Sequence, residues 1–289
     1  MKENISEILQ RQYRGAILNF GPPFTGKTTS LSTLIPLGLV PIWVFDFDRK
    51  LHPLVRRIHE LRLKGVPVAD DDLVRLSYLP KSGDKIGGSP FRPRGQGQDT
   101  YLKFMDDFNI LYDYVGPDGE WKTPGPAKWK LPKVIVFDGL TGLQDMLLDF
   151  VLAMSGHELN AKGTDARADY GQQMGKIVEI VSSAKGLPLL SIFNAHEKPI
   201  YSQAHKEDAA VSELRIDPLV TGILSASIGK EFLACVYSTT EGPQASPRYV
   251  WKLQSDGKIK GVGTTFSEGG AATIPQDYGK LLVRLEDKS

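Results

Sequence analysis

The sequence predicts an α/β protein: a mainly parallel sheet with helices on both faces and antiparallel strands toward the C-terminus. Three observations predict it. Four segments, residues 16–20, 40–48, the start of 133–143, and 187–197, are nearly continuous apolar runs, as strands buried on both faces are. Helix-forming segments alternate with them, the pattern that brings successive strands parallel. Beyond residue 231 the strand-like segments 231–239, 248–254 and 281–285 lie closer together, with "SDGK" (255–258) as a hairpin-type turn.

Size and composition fit this class. The 289 residues are 41% hydrophobic and 24% charged, enough for a substantial core. Length admits one large or two smaller domains, and one domain over 1–289 is expected. The net charge of +1 provides no global field toward nucleic acid or membrane. Cys235 is the only cysteine, so no intrachain disulfide forms, as suits a reducing cytosol. The N-terminus lacks the apolar core of a signal peptide, and no run reaches the roughly 18 apolar residues of a membrane span. A cytoplasmic protein without membrane partners is expected.

The elements follow in order. Residues 4–13 predict a short amphipathic helix within an N-terminal segment, 1–14. "AILNF" (16–20) is a strand that runs into "GPPFTGKTT" (21–29). Thr28 to Leu34 begin a helix that ends near Pro36. "VPIWVFDFD" (40–48) is the second strand, rich in β-branched and aromatic residues. Residues 49–64 predict a helix after Pro53, with six Lys/Arg against one Glu; such a run is a solvated face or a phosphate-backbone contact. Residues 80–99 are dense in Gly and Pro and predict a surface loop. A helix is expected over 101–115.

A second irregular insertion, about 116–132, interleaves Trp121 and Trp129 with Lys122 and Lys130. Aromatic rings among cations suit stacking on single-stranded nucleic acid, or the rings pack back on the domain. Then come the 133–143 strand and its exit, a helix to about Met154, a loop over 157–169, and a helix over 170–186. In that helix Met174, Ile177, Val178 and Val181 recur at helical spacing. The strand at 187–197 is followed by a polar stretch, 198–217.

The chemistry begins at Gly21, Gly26, Lys27 and Thr28, which fit G-x-x-x-x-G-K-[ST], the phosphate-binding loop. A strand before it and a helix after it supply the required context. Backbone amides of Gly21, Pro22, Pro23, Phe24, Thr25, Gly26, Lys27, Thr28 and Thr29, the prolines apart, form the cradle for a triphosphate. Lys27 reaches the β- and γ-phosphates and the Thr28 hydroxyl ligates Mg²⁺. Phe24 is large for such a loop and is open to stacking or a subunit contact. A second metal-side group is Asp138, which ends "VIVFD" at the edge of the sheet where ligands bind.

Gly139 follows Asp138, a position where motor ATPases of the AAA+ type usually carry a water-polarising Glu. The carboxylate that orients water must then come from elsewhere. Asp48, at the end of "VFDFD" with Asp46, is the candidate, unless both acids pair with Arg49 or Lys50 or cap the next helix. "FNAHE" ends the fourth strand, placing Asn194 and His196 to sense the γ-phosphate; a neutral His both donates and accepts.

"GPPFTGKTT", "VFDFD", "VIVFDGLTGL" and "IFNAHE" stand in the order of RecA-like recombinase cores. Over roughly residues 15–282, with "DYGQQMGKI" and "GKIKG…IPQDYGKLL" included, the chain resembles phage-encoded, single-domain RecA-like P-loop ATPases linked to single-strand annealing and recombination. The resemblance implies ATP and Mg²⁺ as ligands, with Lys27 and Thr28 on phosphate and metal and Asp138 in the metal shell. Asp48 falls where a catalytic Glu usually stands; it is one methylene shorter, which implies slow hydrolysis. His196 falls near the family's γ-phosphate sensor.

The resemblance further implies self-association into a filament or ring, where Lys258 and Lys260 are candidates to reach a neighbour's ATP. It implies single-stranded DNA as partner, with single-strand binding or replication proteins beside it. The matching DNA loops are about 156–169 and 197–217. The second is net −2, with three cations against five acids, so contact there would be local, through Lys198 and Tyr201, or would shift to the 49–64 and 121–133 patches, or the protein is not chiefly a DNA binder. Two other classes fit the same loop: a kinase or phosphotransferase with Arg92 and Arg94 in a lid, and an ATP-gated assembly module. No base-reading N-K-x-D motif occurs, which favours ATP over GTP.

Overall fold

In the computed structural model, Gly15–Gly21 (β1) is buried beyond its first residue and lies centrally in a ten-stranded sheet. The structure describes residues 15–78, 96–113, 131–156, 166–201, 213–220, 224–255, 259, 262–264 and 272–286. On one side of β1, all parallel, stand Leu190–Tyr201 (β5), Val134–Asp138 (β4), Ile42–Asp46 (β2) and Leu73–Ser77 (β3). On the other, Ala234–Glu241 (β7) is parallel to β1. Arg248–Lys252 (β8) and Thr273–Pro275 (β10) then follow antiparallel. Glu213–Pro218 (β6) pairs antiparallel with the far end of β5, and Gly263–Thr264 (β9) with β7. The sheet is therefore mostly parallel, with antiparallel strands toward the C-terminus.

The near-continuous apolar strands are explained by two cores, one on each face. Because side chains alternate along a strand, Phe20, Phe45, Phe137 and Phe193 face one core while Ile17, Val44, Val136 and Ile192 face the other. The rings of Phe45, Phe137 and Phe193 stack in a row across three strands, with centroids 5.2 and 4.2 Å apart. Helices Gln96–Asp113 (α3), Leu140–Ser155 (α4) and Ala166–Gly186 (α5) cover this face through Phe104, Leu147 and Ile177. Lys27–Ser30 (α1), continued by the 3₁₀ turn Leu31–Leu34, covers the opposite face with His52–Leu63 (α2) and Tyr278–Glu286 (α7), through Leu34, Leu54 and Leu281. A short helix, Leu224–Ser227 (α6), precedes β7. Among the described residues no helix is long and apolar enough to cross a membrane.

Several expectations are corrected. Residues 281–285, read as a strand, belong to α7. Tyr278, Leu281 and Leu282 are buried and Val283 is exposed, the i, i+3, i+4 pattern of a helix on a core; a five-residue apolar run alone cannot distinguish the two. Strand β3 went unpredicted because it is half-exposed and follows the acidic run Asp70–Asp72. Strand β5 extends past residue 197, and with β6 it turns part of the 198–217 polar stretch into a hairpin. Helices α3 and α5 begin at Gln96 and Ala166, inside segments read as loop. The 4–13 helix and most of the 80–99 and 116–132 insertions lie outside the described residues, as do Arg92, Arg94 and all but Ser255 of the "SDGK" turn.

Candidate active site

The in-register pairing of β1, β5, β4 and β2 brings their C-terminal ends to one edge. Gly21 lies opposite His196, Asn194 opposite Asp138, and Asp138 opposite Asp46. The phosphate loop rises from this edge. A Cβ on Gly21 would run into the Ser238 carbonyl oxygen, so the close packing of β1 on β7 requires glycine there. Gly26 takes a left-handed conformation (φ 82°) as the N-cap of α1, and the Ser30 amide donates to its carbonyl at 2.9 Å. The first amides of the helix, those of Lys27, Thr28 and Thr29, need acceptors from outside it, and an anion is the usual one.

Lys27 is folded back into the loop, its Nζ donating to the carbonyls of Gly21 (2.8 Å) and Pro22 (2.6 Å). Thr25 Oγ1 donates to the same Pro22 carbonyl at 2.8 Å. Burial pushes the Lys27 ammonium down to about 8, partly offset by the carboxylates of Asp138 and Glu197. Phe24 is 95% exposed with φ 63°. Its ring therefore does not pack on a neighbouring element.

Thr28 Oγ1 lies 3.1 Å from both carboxylate oxygens of Asp138, to which it donates. Asp138 is 4% exposed. Its burial, with Asp46 and Asp48 nearby, pushes its carboxyl up to about 6 against the opposing hydrogen bonds from Asn194 and Thr28. Asn194 Nδ2 donates to Asp138 Oδ1 at 2.7 Å, so Asn194 orients the acid.

A hydroxyl and a carboxylate at this spacing fit Mg²⁺: neighbouring oxygens in an octahedral shell of ~2.05 Å radius lie about 2.9 Å apart. Among the described residues no group of three or more His, Cys, Asp or Glu forms a metal cage. That donor set matches an ion held by one or two protein oxygens together with phosphate oxygens and water.

Asp46 and Asp48, both candidates by position, have different surroundings. Asp46 is fully buried and receives Nε and an Nη of Arg75 at 2.7 and 2.6 Å. Its Oδ1 also accepts from the amides of Asp48 (3.1 Å) and Arg49 (2.8 Å). Asp46 is thus an internal strut for the turn. Asp48 leaves that turn toward the site, with Oδ2 3.5 Å from His196 Nε2 and 3.5 Å from Lys50 Nζ. Burial raises its carboxyl, but the His196 ring and Lys50 outweigh this and hold it below the usual carboxylate range.

The position after Asp138 now has a physical account. A Cβ on Gly139 (φ 98°) would lie 2.5 Å from Asp48 Cγ, and one on Gly142 would lie 2.7 Å from the Phe47 carbonyl oxygen. The space beside Asp138 that a side chain at 139 would fill is taken by the Asp48 carboxylate from β2.

Beyond His196 the chain is tied to its surroundings. The Leu219 amide donates to the His196 carbonyl at 2.7 Å, Gln144 Nε2 donates to the Leu219 carbonyl at 2.9 Å, and the Tyr237 hydroxyl donates to Glu197 Oε2 at 2.7 Å. Lys198 and Tyr201 lie on β5 past the site, opposite Asp217 and Glu213 of β6. On α2 the exposed cations are partly matched: Arg56 and Arg57 face Glu60 at 3.5 and 2.7 Å, and Arg62 meets Asp70 at 2.7 Å. That is the pattern of a solvated face. Trp121, Lys122, Trp129, Lys130, Lys258 and Lys260 lie outside the described residues.

Sequence reading missed two contributors, Arg75 and the Gly139 cradle; the pairing of Asp48 with Lys50, one of the alternatives it left open, is present. Arg75 sits on the unpredicted β3, which hid it. The cradle was legible only as the unusual Asp-Gly pair in "VFDGLTG". No protein-family model matches the chain, and no curated protein matches it significantly.

Proposed function

We propose that the chain is a RecA-like P-loop ATPase that binds Mg·ATP and acts on single-stranded DNA, as an oligomer, in phage recombination or replication. The observation that carries the nucleotide reading is the contact between Thr28 on α1 and Asp138 at the end of β4, beside a buried Lys27 that follows the left-handed Gly26. Few structural roles require a lysine, an aspartate and an orphaned helix N-terminus to share one buried corner, and a triphosphate with its metal satisfies all three.

In this reading Lys27 would exchange its two loop carbonyls for phosphate oxygens. Thr28 and Asp138 would hold the metal, whose chemistry would be to neutralise charge on the phosphates. Asp48, kept ionised by His196 and Lys50, orients the attacking water from the strand beside Asp138. His196 touches Asp48 on one side, and its backbone anchors the start of the β5–β6 hairpin on the other. Phosphate loss is thereby connected to the arm that carries Lys198 and Tyr201. Those two residues and the family resemblance support DNA as partner.

The test is calorimetric titration with a nonhydrolysable Mg·ATP analogue, followed by phosphate release with and without single-stranded DNA at low salt. Binding that Lys27→Ala abolishes, with DNA-stimulated release, is the expected result. No binding by the wild-type chain overturns the nucleotide reading. Binding and turnover with no DNA affinity at low salt, where phosphate contacts are strongest, overturns the DNA part alone.

A further inference from the structure

We infer that Lys50 is a cis-acting positioning residue of the phosphate site, fixing the Asp48 carboxylate so that it faces the terminal phosphate; this rests on the nucleotide reading above. Backbone strain marks the turn that carries Lys50. Among the described residues, two that are not glycine have positive φ, Phe24 and Arg49 (56°). One lies in the phosphate loop and the other in the turn between Asp48 and Lys50. A left-handed non-glycine residue is strained and persists where its surroundings over-determine it.

The surroundings here do so. Strand pairing continues past β2, with the Phe47 amide donating to the Asp138 carbonyl at 3.0 Å. The next two amides are caught by Asp46 Oδ1, and Asp46 is itself clamped by Arg75. Arg49 then reverses the chain, and Lys50 returns to the carboxylate two residues before it.

The consequence is a carboxylate held from two sides. Lys50 Nζ and His196 Nε2 both approach Oδ2 of Asp48, each at 3.5 Å. Both oxygens lie over the glycine turn, Oδ1 2.6 Å and Oδ2 2.9 Å from where a Cβ on Gly139 would be, and Oδ1 3.1 Å from one on Gly142. The carboxylate thus sits in space that only glycine leaves open, with Lys50 and His196 at its Oδ2. The alternative is an ordinary surface pair, since the Lys50 side chain is 63% exposed. Such a pair contributes little to stability, no more than the strained turn costs, so stability does not account for the arrangement. The charge of Lys50 also helps to lower the Lys27 ammonium.

The test is single-turnover phosphate release from Mg·ATP by the full chain, with the dissociation constant of a nonhydrolysable analogue and the thermal midpoint measured alongside. Lys50→Ala is expected to slow release by about tenfold or more, with the midpoint unchanged and nucleotide affinity within about threefold. Lys50→Arg should recover most of the rate, and Lys50→Glu should be slower than Lys50→Ala. Because Lys50 acts through Asp48, adding Lys50→Ala to Asp48→Asn should slow release no further. A Lys50→Ala rate within twofold of wild type, or losses that multiply in the double variant, overturns the proposal and leaves the nucleotide site standing. A wild-type chain that does not bind Mg·ATP overturns both.

Discussion

Replacing Asp138 with Asn should stabilise the ligand-free protein at neutral pH while removing the carboxylate of the proposed metal site. Asp138 is almost fully buried, and its carboxyl is pushed from an ordinary 3.8 up to about 6. The folded state therefore holds this proton at pH values where the unfolded chain has released it. Stability falls as pH rises from about 4 to about 6, and above that window the whole penalty is present. The rise corresponds to roughly 3 kcal/mol. Asn removes the charge but keeps one acceptor oxygen for the two donors, Thr28 and Asn194, which returns about 1 kcal/mol.

The net gain at pH 7.5 should be about 1–2 kcal/mol, or roughly 2–6 °C in thermal midpoint for a chain of this size. At pH 4.5 Asp138 is already protonated in the folded state and the gain should vanish. Thermal unfolding of both proteins in EDTA, without nucleotide, at the two pH values is the assay. The difference between the pH values is the decisive quantity, because hydrogen-bond losses common to both cancel. If Asp138→Asn shifts the midpoint equally at pH 4.5 and 7.5, the carboxylate is not a buried uncompensated charge and the reasoning fails.

Two further predictions concern the turn beside it. Gly139→Ala should cost about 2–4 kcal/mol in denaturant unfolding, from left-handed strain and from collision with Asp48. In an Asp48→Ala background the same change should cost at least ~1 kcal/mol less; equal costs would mean that Asp48 does not lie over Gly139. Arg75→Ala should cost about 2 kcal/mol, because it leaves the buried Asp46 with two backbone donors and no cation. Adding Asp46→Asn should recover part of that loss, and a loss that instead grows would remove the strut from the account.

Much of the fold was legible because burial on both faces leaves a strong trace. The runs at 16–20, 42–46, 134–138 and 190–193 each contain a single polar residue, and a covered parallel sheet uses such segments repeatedly. The elements that escaped are those at boundaries. Strand β3 has one neighbour and a half-wet face, so its alternation is weak. The β5–β6 hairpin is held by backbone pairing, which side-chain patterns do not report. The site was legible where chemistry needs a fixed spacing along the chain, as from Gly21 to Thr28. It was opaque where the spacing is across the sheet. Arg75 and Asp46 are 29 residues apart, and no local pattern announces their contact.

The same cross-sheet logic bears on the shorter acid at position 48. Alone, an aspartate where the resembled ATPases use a glutamate implies a carboxylate held one methylene back from its task. The register of β2 and β4 changes that inference. Asp46 lies opposite Asp138 where β2 ends, and the turn beyond it carries Asp48 over the residue after Asp138. There the side chain that would separate them is missing: Gly139 has no Cβ, and Asp48 Cγ lies 2.5 Å from where one would be. The approach that a longer acid achieves by reach is achieved here by removing the obstacle. A glutamate at 48 would carry its carboxylate past the Gly139 turn and off the geometry that His196 and Lys50 define. Aspartate at 48 and glycine at 139 are then two halves of one device, and under the proposed ATPase reading the turnover rate would depend on how rigidly the turn holds Asp48 more than on the length of its side chain.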